Sequence, residues 1–288
     1  MKNNLFISQK VTIHRNNKQL KLVFDNLSKD IPISIIENLF LIGSAITLTN
    51  GARSLLLENN KSIFYYTSGY KMQGVLSNTK LQSNYRNRLF QYDAYNSKVL
   101  NISKHIVQKK INSMEKVFDL HLNKYRHKIY DVANHTELLG VEGIATTSMF
   151  KIFKKYLLAS KIEDFKKREY RPTKDKVNGI LSFTYTLYSN LLYGLVLSEG
   201  YDPYIGFLHK KRGTHYAFVS DLIEYDRAGL TKFVLLLFVK RVLDDEDFDG
   251  IYLNTDGRKK FLLKFNEYCQ ENFGKSRENL NEIGDLLV

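Results

Sequence analysis

Three stretches, far apart in this chain, carry side chains suited to a hard divalent cation. Glu142 lies in LLGVEGIATTSMF, His209 in YIGFLHKKRG, and Asp221 and Glu224 in VSDLIEYDR. Carboxylates with one imidazole suit Mg²⁺ or Mn²⁺, whereas zinc more often recruits cysteines or several histidines. Each stretch has an ordinary alternative. An acidic residue early in a helix is favoured by the helix dipole, which would account for Glu142. His209, where an apolar run meets Lys210, Lys211, Arg212 and Gly213, could be a surface or core histidine. Asp221 and Glu224 could belong to a solvated acidic turn. Against that, Phe218, Val219, Leu222 and Ile223 imply a buried helix, on which residues three apart share a face and Arg227 extends it. Glu142 likewise precedes Ala145, Met149, Phe150 and Phe153. On the inward side of such a helix a carboxylate is costly unless paired or metal-bound.

Charge points the same chemistry at a polyanion. The net charge of +13 sits in two segments: 81–130 has ten Lys/Arg and a net +7, and 151–176 has ten Lys/Arg and a net +6. Aromatic residues interleave with them (Tyr85, Phe90, Tyr92, Tyr95, Tyr125, Tyr156, Phe165, Tyr170). Cations that track a backbone, beside rings that stack, suit nucleic acid. A hard metal in such a protein points to phosphodiester chemistry.

Other chemistries find little support. There is no P-loop, nucleophile elbow, zinc-type Cys/His array or dinucleotide fingerprint. The single cysteine, Cys269, excludes an intrachain disulfide and favours a reducing, cytoplasmic setting. MKNNLFISQK lacks the apolar core of a signal peptide. The longest apolar run, Phe233 to Val239, is too short for a bilayer, so no membrane partner is expected. DDEDFD (244–249) reads as a solvated turn ending a helix, because it lacks the EF-hand pattern. Tyr185, Tyr188 and Tyr193 on a long apolar helix read mainly as packing residues.

The elements that must position these groups change character near residue 80. Before it, LFISQKVTIHR and KQLKLVFDN read as strands with a turn at Asn16-Asn17. FLIGSAITL, SIFYYTS and KMQGVL read as further strands, and ARSLLLENN as a short helix. LQSNYRNRLF reads as a linker or hinge. From Tyr92 the apolar spacing becomes three and four, through Val99, Ile102, Ile106, Ile111, Met114 and Val117. Helices are expected near 137–160, 176–199, 217–243 and 257–273, with fraying from Arg277. The fold class is α+β.

In this order the blocks resemble the CRISPR-associated spacer integrase, the metal-dependent endonuclease of the CRISPR adaptation complex. LLGVEGIATTSMF is similar to its glutamate block, RPTKDKVNGILSFTYTLYSNLL to its Arg-Pro and Asn-Leu-Leu helix block, GYDPYIGFLH to its histidine block, and VSDLIEYDR to its acidic block. IPISIIENLFLIGSAITLTNGARSLLLENNKSIFYY is similar to its β-domain core. The resemblance implies Glu142, His209 and Glu224 as ligands of Mg²⁺ or Mn²⁺, with Asp221 as an accessory catalytic acid. It implies a small N-terminal β-sandwich or β-roll dimerisation domain (1–84), a linker (85–92) and a larger all-α catalytic domain (93–288). The partners implied are double-stranded and branched DNA, a second copy of the chain, and a small CRISPR-associated protein. The reaction would be attack of a DNA 3′-hydroxyl on a phosphodiester of a repeat array. Candidate DNA contacts are Arg86, Arg88, Lys154, Lys155, Lys166, Lys167, Arg168, Lys210, Lys211 and Arg212. A non-catalytic DNA-binding scaffold of the same fold is the alternative; an unrelated metal nuclease is a third.

Overall fold

The computed structural model describes residues 3–78, 85–169, 173–210, 213 and 215–288. Alternation builds its first layer. Val11 and Ile13 on β2 (Val11–Asn16) and Leu20 and Leu22 on β3 (Gln19–Val23) are buried, giving the hairpin one apolar face. Asn16 pairs with Gln19, so the loop is Asn17-Lys18, one residue beyond the expected turn. Asn17 takes φ +53°, a conformation asparagine tolerates. With β4 (Ser28–Pro32) and β6 (Ile46–Leu48), these strands form a sheet of order β4-β3-β2-β6.

A second sheet has the order β1-β5-β7-β8, from β1 (Asn3–Ile7), β5 (Ile36–Ile42), β7 (Ile63–Tyr66) and β8 (Met72–Leu76). Its central strands are buried on both faces. Leu39, Leu41 and Ile63 join Ile13, Leu20 and Leu22, with Leu55 and Leu56 of α1 (Asn50–Glu58), in a core between the sheets. Phe40, Ile42, Phe64 and Tyr66 face the helices instead. Two buried faces are why LFLI (39–42) is a continuous apolar run.

Among the described residues the further helices are α2 (Tyr85–Ser97), α3 (Val99–Phe118), α4 (Asn123–Asp131), α5 (His135–Ala159), α6 (Lys176–Ser198), α7 (Ala217–Val239) and α8 (Thr255–Leu287). Strands followed by helices make the α+β architecture. The second sheet docks on α6 and α8. Phe40 and Phe273 rings meet edge-on at 5.3 Å, and the Tyr66 hydroxyl donates to the Asn190 carbonyl at 3.2 Å. A Cβ at Gly194 would stand 2.7 Å from that hydroxyl, so α6 reaches the sheet only because the position is glycine. Arg277 of α8 pairs with Glu37 on β5 and Glu199 after α6. By length and hydropathy α6 could cross a bilayer, yet it lies mostly buried among the other helices.

Three expectations need correction. Residues 85–92, expected as linker, are the start of α2. No glycine or proline interrupts them, and Gln91 anchors the helix from within. Residues 81–84, which open the LQSNYRNRLF block expected as linker or hinge, lie outside the described residues, as do Tyr170, Lys211 and Arg212. The last helix does not fray from Arg277: Leu280, Ile283 and Leu287 continue the buried stripe of Cys269, Phe273 and Ser276 to its end. DDEDFD does close a turn, but Asp247 is buried. It accepts from the Asp244 amide and pairs with Lys260 at 2.8 Å.

Candidate active site

Asp221 leaves the second turn of α7 and Glu224 the start of its third, on the shared face that their spacing predicts. They do different work. The Asp221 carboxylate is fully buried and accepts from the backbone amides of Phe207, Leu208 (3.1 Å) and His209 (2.8 Å). It also binds Nδ1 of the His209 ring at 2.9 Å. A carboxylate only accepts, so Nδ1 carries a proton, and in the neutral ring Nε2 keeps a free lone pair. That nitrogen stands 4.0 Å from Glu224 Oε1. Two donors about 2.1 Å from one ion are at most about 4.2 Å apart, so the pair fits a shared divalent cation. Asp221 is therefore the group that orients the imidazole, the arrangement common behind metal-binding histidines.

The loop that carries His209 is held from several sides. Gln91 of α2 donates to the carbonyls of Asp202 (2.9 Å) and Ile205 (2.7 Å) and accepts from the Asp202 amide (2.8 Å). His135, at the start of α5, binds the Leu208 carbonyl at 2.8 Å. Gly206 passes so close to Ala217 that a Cβ would lie 2.6 Å from its carbonyl carbon. Any side chain there would push the loop off α7.

Glu142 sits in the third turn of α5, not the first. The dipole-favoured position belongs to Glu137, beside the Asn134 cap. Glu142 accepts from the Thr146 hydroxyl at 2.7 Å and pairs with Lys110 of α3. Lys110 also lies 2.5 Å from Glu224 Oε2. Its ammonium thus joins carboxylates from α5 and α7. Exposure grades outward across the cluster: Glu224 2%, Lys110 5%, Glu142 19% and His209 33%. The cluster opens to solvent at Glu142 and His209, beside a cleft lined by His135, Leu139, Leu208, Lys210 and His215.

The electrostatics follow the contacts. Burial alone would raise the Glu224 pKa, but Arg227, Lys110 and His209 together hold it far below the usual carboxylate range. Arg227 and Lys110 stand equally close, Arg227 Nη2 2.5 Å from Glu224 Oε1 and Lys110 Nζ 2.5 Å from Oε2. Burial would lower the pKa of Lys110, and Glu224 and Glu142 outweigh it and raise it. For His209 burial again acts downward, and the bond to Asp221 with the charges of Asp221 and Glu224 raises the imidazole above 6.5. Glu224 Oε2 lies in contact with Lys110 yet receives no aligned hydrogen bond. A buried carboxylate oxygen without a directed donor suits a metal, which imposes no donor angle. Among the described residues, no three acidic, imidazole or thiol groups close on one point as they stand, because Lys110 separates Glu142 from Glu224.

The candidate DNA contacts divide. Arg86, Arg88, Lys155, Lys166, Lys167 and Lys210 are exposed, and Lys154 is half-buried. Lys155 falls about 140° round α5 from Glu142, on a face turned away from the cluster. Arg168 is committed inside the fold: its guanidinium donates to Asn178 (2.9 Å) and Ser182 (3.0 Å) and lies on the Tyr185 ring. Of the tyrosines on α6, Tyr185 bonds Thr231 (2.6 Å), Tyr188 bonds Ser276 (2.8 Å) and Tyr193 packs against the tilted ring of Tyr216. Lys110, Gln91, His135 and His215 escaped the sequence reading, since each meets its partner only in space.

Two sheets leading into a helical region, with a loop imidazole and helix-borne carboxylates gathered together, define an α+β protein with an acidic, histidine-bearing centre. The sequence profile of the family described as CRISPR associated protein Cas1 matches residues 5–267, and the chain belongs to that family. A CRISPR-associated endonuclease Cas1 of Thermodesulfovibrio yellowstonii is 26% identical over 266 residues, covering 84% of this chain and 82% of the relative. Two solved structures share the fold. A chain of a partial Cas6-RT-Cas1–Cas2 complex superposes with TM-score 0.79 at 22% identity, over all of this chain and 95% of the other. A casposase bound to integration product gives 0.63 at 21% identity, over 93% and 86%.

Proposed function

We propose that this chain is a metal-dependent DNA strand transferase and endonuclease of CRISPR adaptation, acting in the cytoplasm on double-stranded and branched DNA. Glu142, His209 and Glu224 would hold the cation, Mg²⁺ or Mn²⁺. When bound, the ion supplies Lewis-acid polarisation of a phosphoryl oxygen. Asp221 keeps the proton on His209 Nδ1 and the loop in place. Arg227 fixes the Glu224 carboxylate and helps keep it ionised. Lys210, exposed beside His209, meets backbone phosphate. A DNA 3′-hydroxyl gives strand transfer; water in its place gives cleavage. By analogy with the Cas2-containing complex, a small CRISPR-associated protein completes the assembly, and a homodimer forms through the N-terminal sheets.

The observation that supports this most is the approach of His209 Nε2 to Glu224 Oε1 at 4.0 Å with Nδ1 held by Asp221. The non-catalytic scaffold reading draws on one observation of its own, the ion pairing of both glutamates with Lys110. A strand-transfer assay separates them. With the partner, Mn²⁺ and a supercoiled repeat plasmid, the parent protein joins short duplexes. Glu142→Ala, His209→Ala and Glu224→Ala bind DNA without joining it. Full joining by all three variants, or none by the parent, supports the scaffold.

A further inference from the structure

Lys110 is the one feature of the cluster that the catalytic reading leaves without a task. It belongs to the buried stripe of α3 with Ile106, Ile111 and Met114, where an unpaired ammonium would be very costly. Its Nζ contacts one oxygen of Glu142 and one of Glu224, which arrive from different helices. Thr146 holds Glu142 from one side and Arg227 holds Glu224 from the other, so Lys110 is the link between the two halves.

We propose that Lys110 is a positioning residue of the metal centre: its ammonium gathers Glu142 and Glu224 and withdraws from them when a divalent ion enters, so that ion binding is an exchange of cations. This rests on the metal-site reading above. Charge counting supports it. Glu142, Glu224 and Asp221 face Lys110 and Arg227, and His209 must be neutral to hold a metal. Adding a dication with both cations in place leaves the buried cluster net positive, and withdrawing Lys110 brings it back to neutrality. Arg227 is tied to Glu224 by two nitrogens and stacked on Tyr185, so it stays. Lys110 has a flexible stem and a point charge without a directed bond to Glu224 Oε2, so it is the cation that leaves. Steric exclusion agrees, because an ion bridging the two carboxylates needs the space that Nζ fills.

The test measures Mn²⁺ binding by electron paramagnetic resonance of the free ion, in the parent, Lys110→Met and His209→Ala. Lys110→Met removes the competitor, and Mn²⁺ should bind about tenfold more tightly than to the parent. Its melting temperature should fall in EDTA and recover with Mn²⁺. Equal or weaker Mn²⁺ binding by a folded Lys110→Met overturns the proposal while leaving the metal site standing. If His209→Ala binds Mn²⁺ as the parent does, the metal-site reading itself fails. A second measurement needs no variant. Amine acetylation of the parent, read by mass spectrometry, should rise at Lys110 on saturation with Mn²⁺ and stay constant at exposed Lys155. Unchanged protection of Lys110 at saturation also overturns the exchange.

Discussion

Glu224 and Asp226 leave α7 two residues apart, and their surroundings treat the same carboxyl group in opposite ways. Glu224 faces Arg227, Lys110 and His209, and their charges overcome the cost of burial and keep it ionised. Asp226 points to the other side of the helix. There Ser276 Oγ donates to it at 2.9 Å, and Ser276 in turn meets the Tyr188 hydroxyl. Burial pushes its pKa up to about 7, and those hydroxyls with the charge of Lys275 offset only part of that. One helix thus carries an ionic carboxylate toward the candidate site and a near-neutral one into the packing with α8. Burial alone does not mark a functional acid; the cations gathered on it do.

The contrast can be tested at each end. The largest effect is expected at Glu224. Glu224→Ala leaves Lys110 and Arg227 buried with one partner fewer, and should cost about 3–5 kcal/mol of stability in denaturant titration. A loss below about 1 kcal/mol would mean that the cluster is solvated and the contrast false.

Asp221 comes next. Asp221→Asn keeps the shape but removes the charge that holds the His209 proton on Nδ1. Mn²⁺ affinity should fall about 10–100-fold. In the parent, a proton on Nε2 competes with the ion, so affinity should rise with pH through a midpoint above the ordinary 6.5. In the variant that midpoint should move down. Calorimetry across pH reads both, and an unmoved midpoint would separate His209 from Asp221.

Asp226 tests the other side. Its carboxyl holds a proton more tightly when folded (about 7) than at its free value of 3.8. The folded state therefore binds more protons across that interval. The stability Asp226 contributes is complete below 3.8 and lost as pH rises through 7. Asp226→Asn should remove this slope and gain about 1–3 kcal/mol at pH 8, a range reduced because the residue is only half-buried. Thermal melts at several pH values decide it; destabilisation at pH 8 would place a working charge there too. The smallest effect is expected at Lys210. Lys210→Ala should weaken DNA binding alike for all sequences and reduce the salt slope by about one.

How far the sequence could reveal this depends on where each signal resides. The hairpin and the doubly buried β5 are written in alternation and in an unbroken apolar run, and both are legible. The end of α8 is misread from sequence: Leu280, Ile283 and Leu287 keep the helical spacing, but the polar residues between them suggest fraying. The site was legible as three blocks but not as a division of labour. Asp221 and Glu224 share a helical face by spacing alone. Nothing in the spacing says that one holds a loop and an imidazole while the other faces two cations. Lys110 was illegible: within a run of lysines it reads as surface, and only its distant partners, Glu142 and Glu224, make it internal. Arg168 is the same case, since a basic run gives no sign that one arginine turns inward onto Asn178 and Tyr185.

The central claim is that His209, Glu142 and Glu224 share one cation. Crystals soaked in Mn²⁺ and measured at the manganese edge test it most directly. A single anomalous peak about 2.2 Å from His209 Nε2 and from a carboxylate oxygen of each glutamate is expected, with Lys110 turned away. A peak elsewhere, with both glutamates still closed on Lys110, would contradict it.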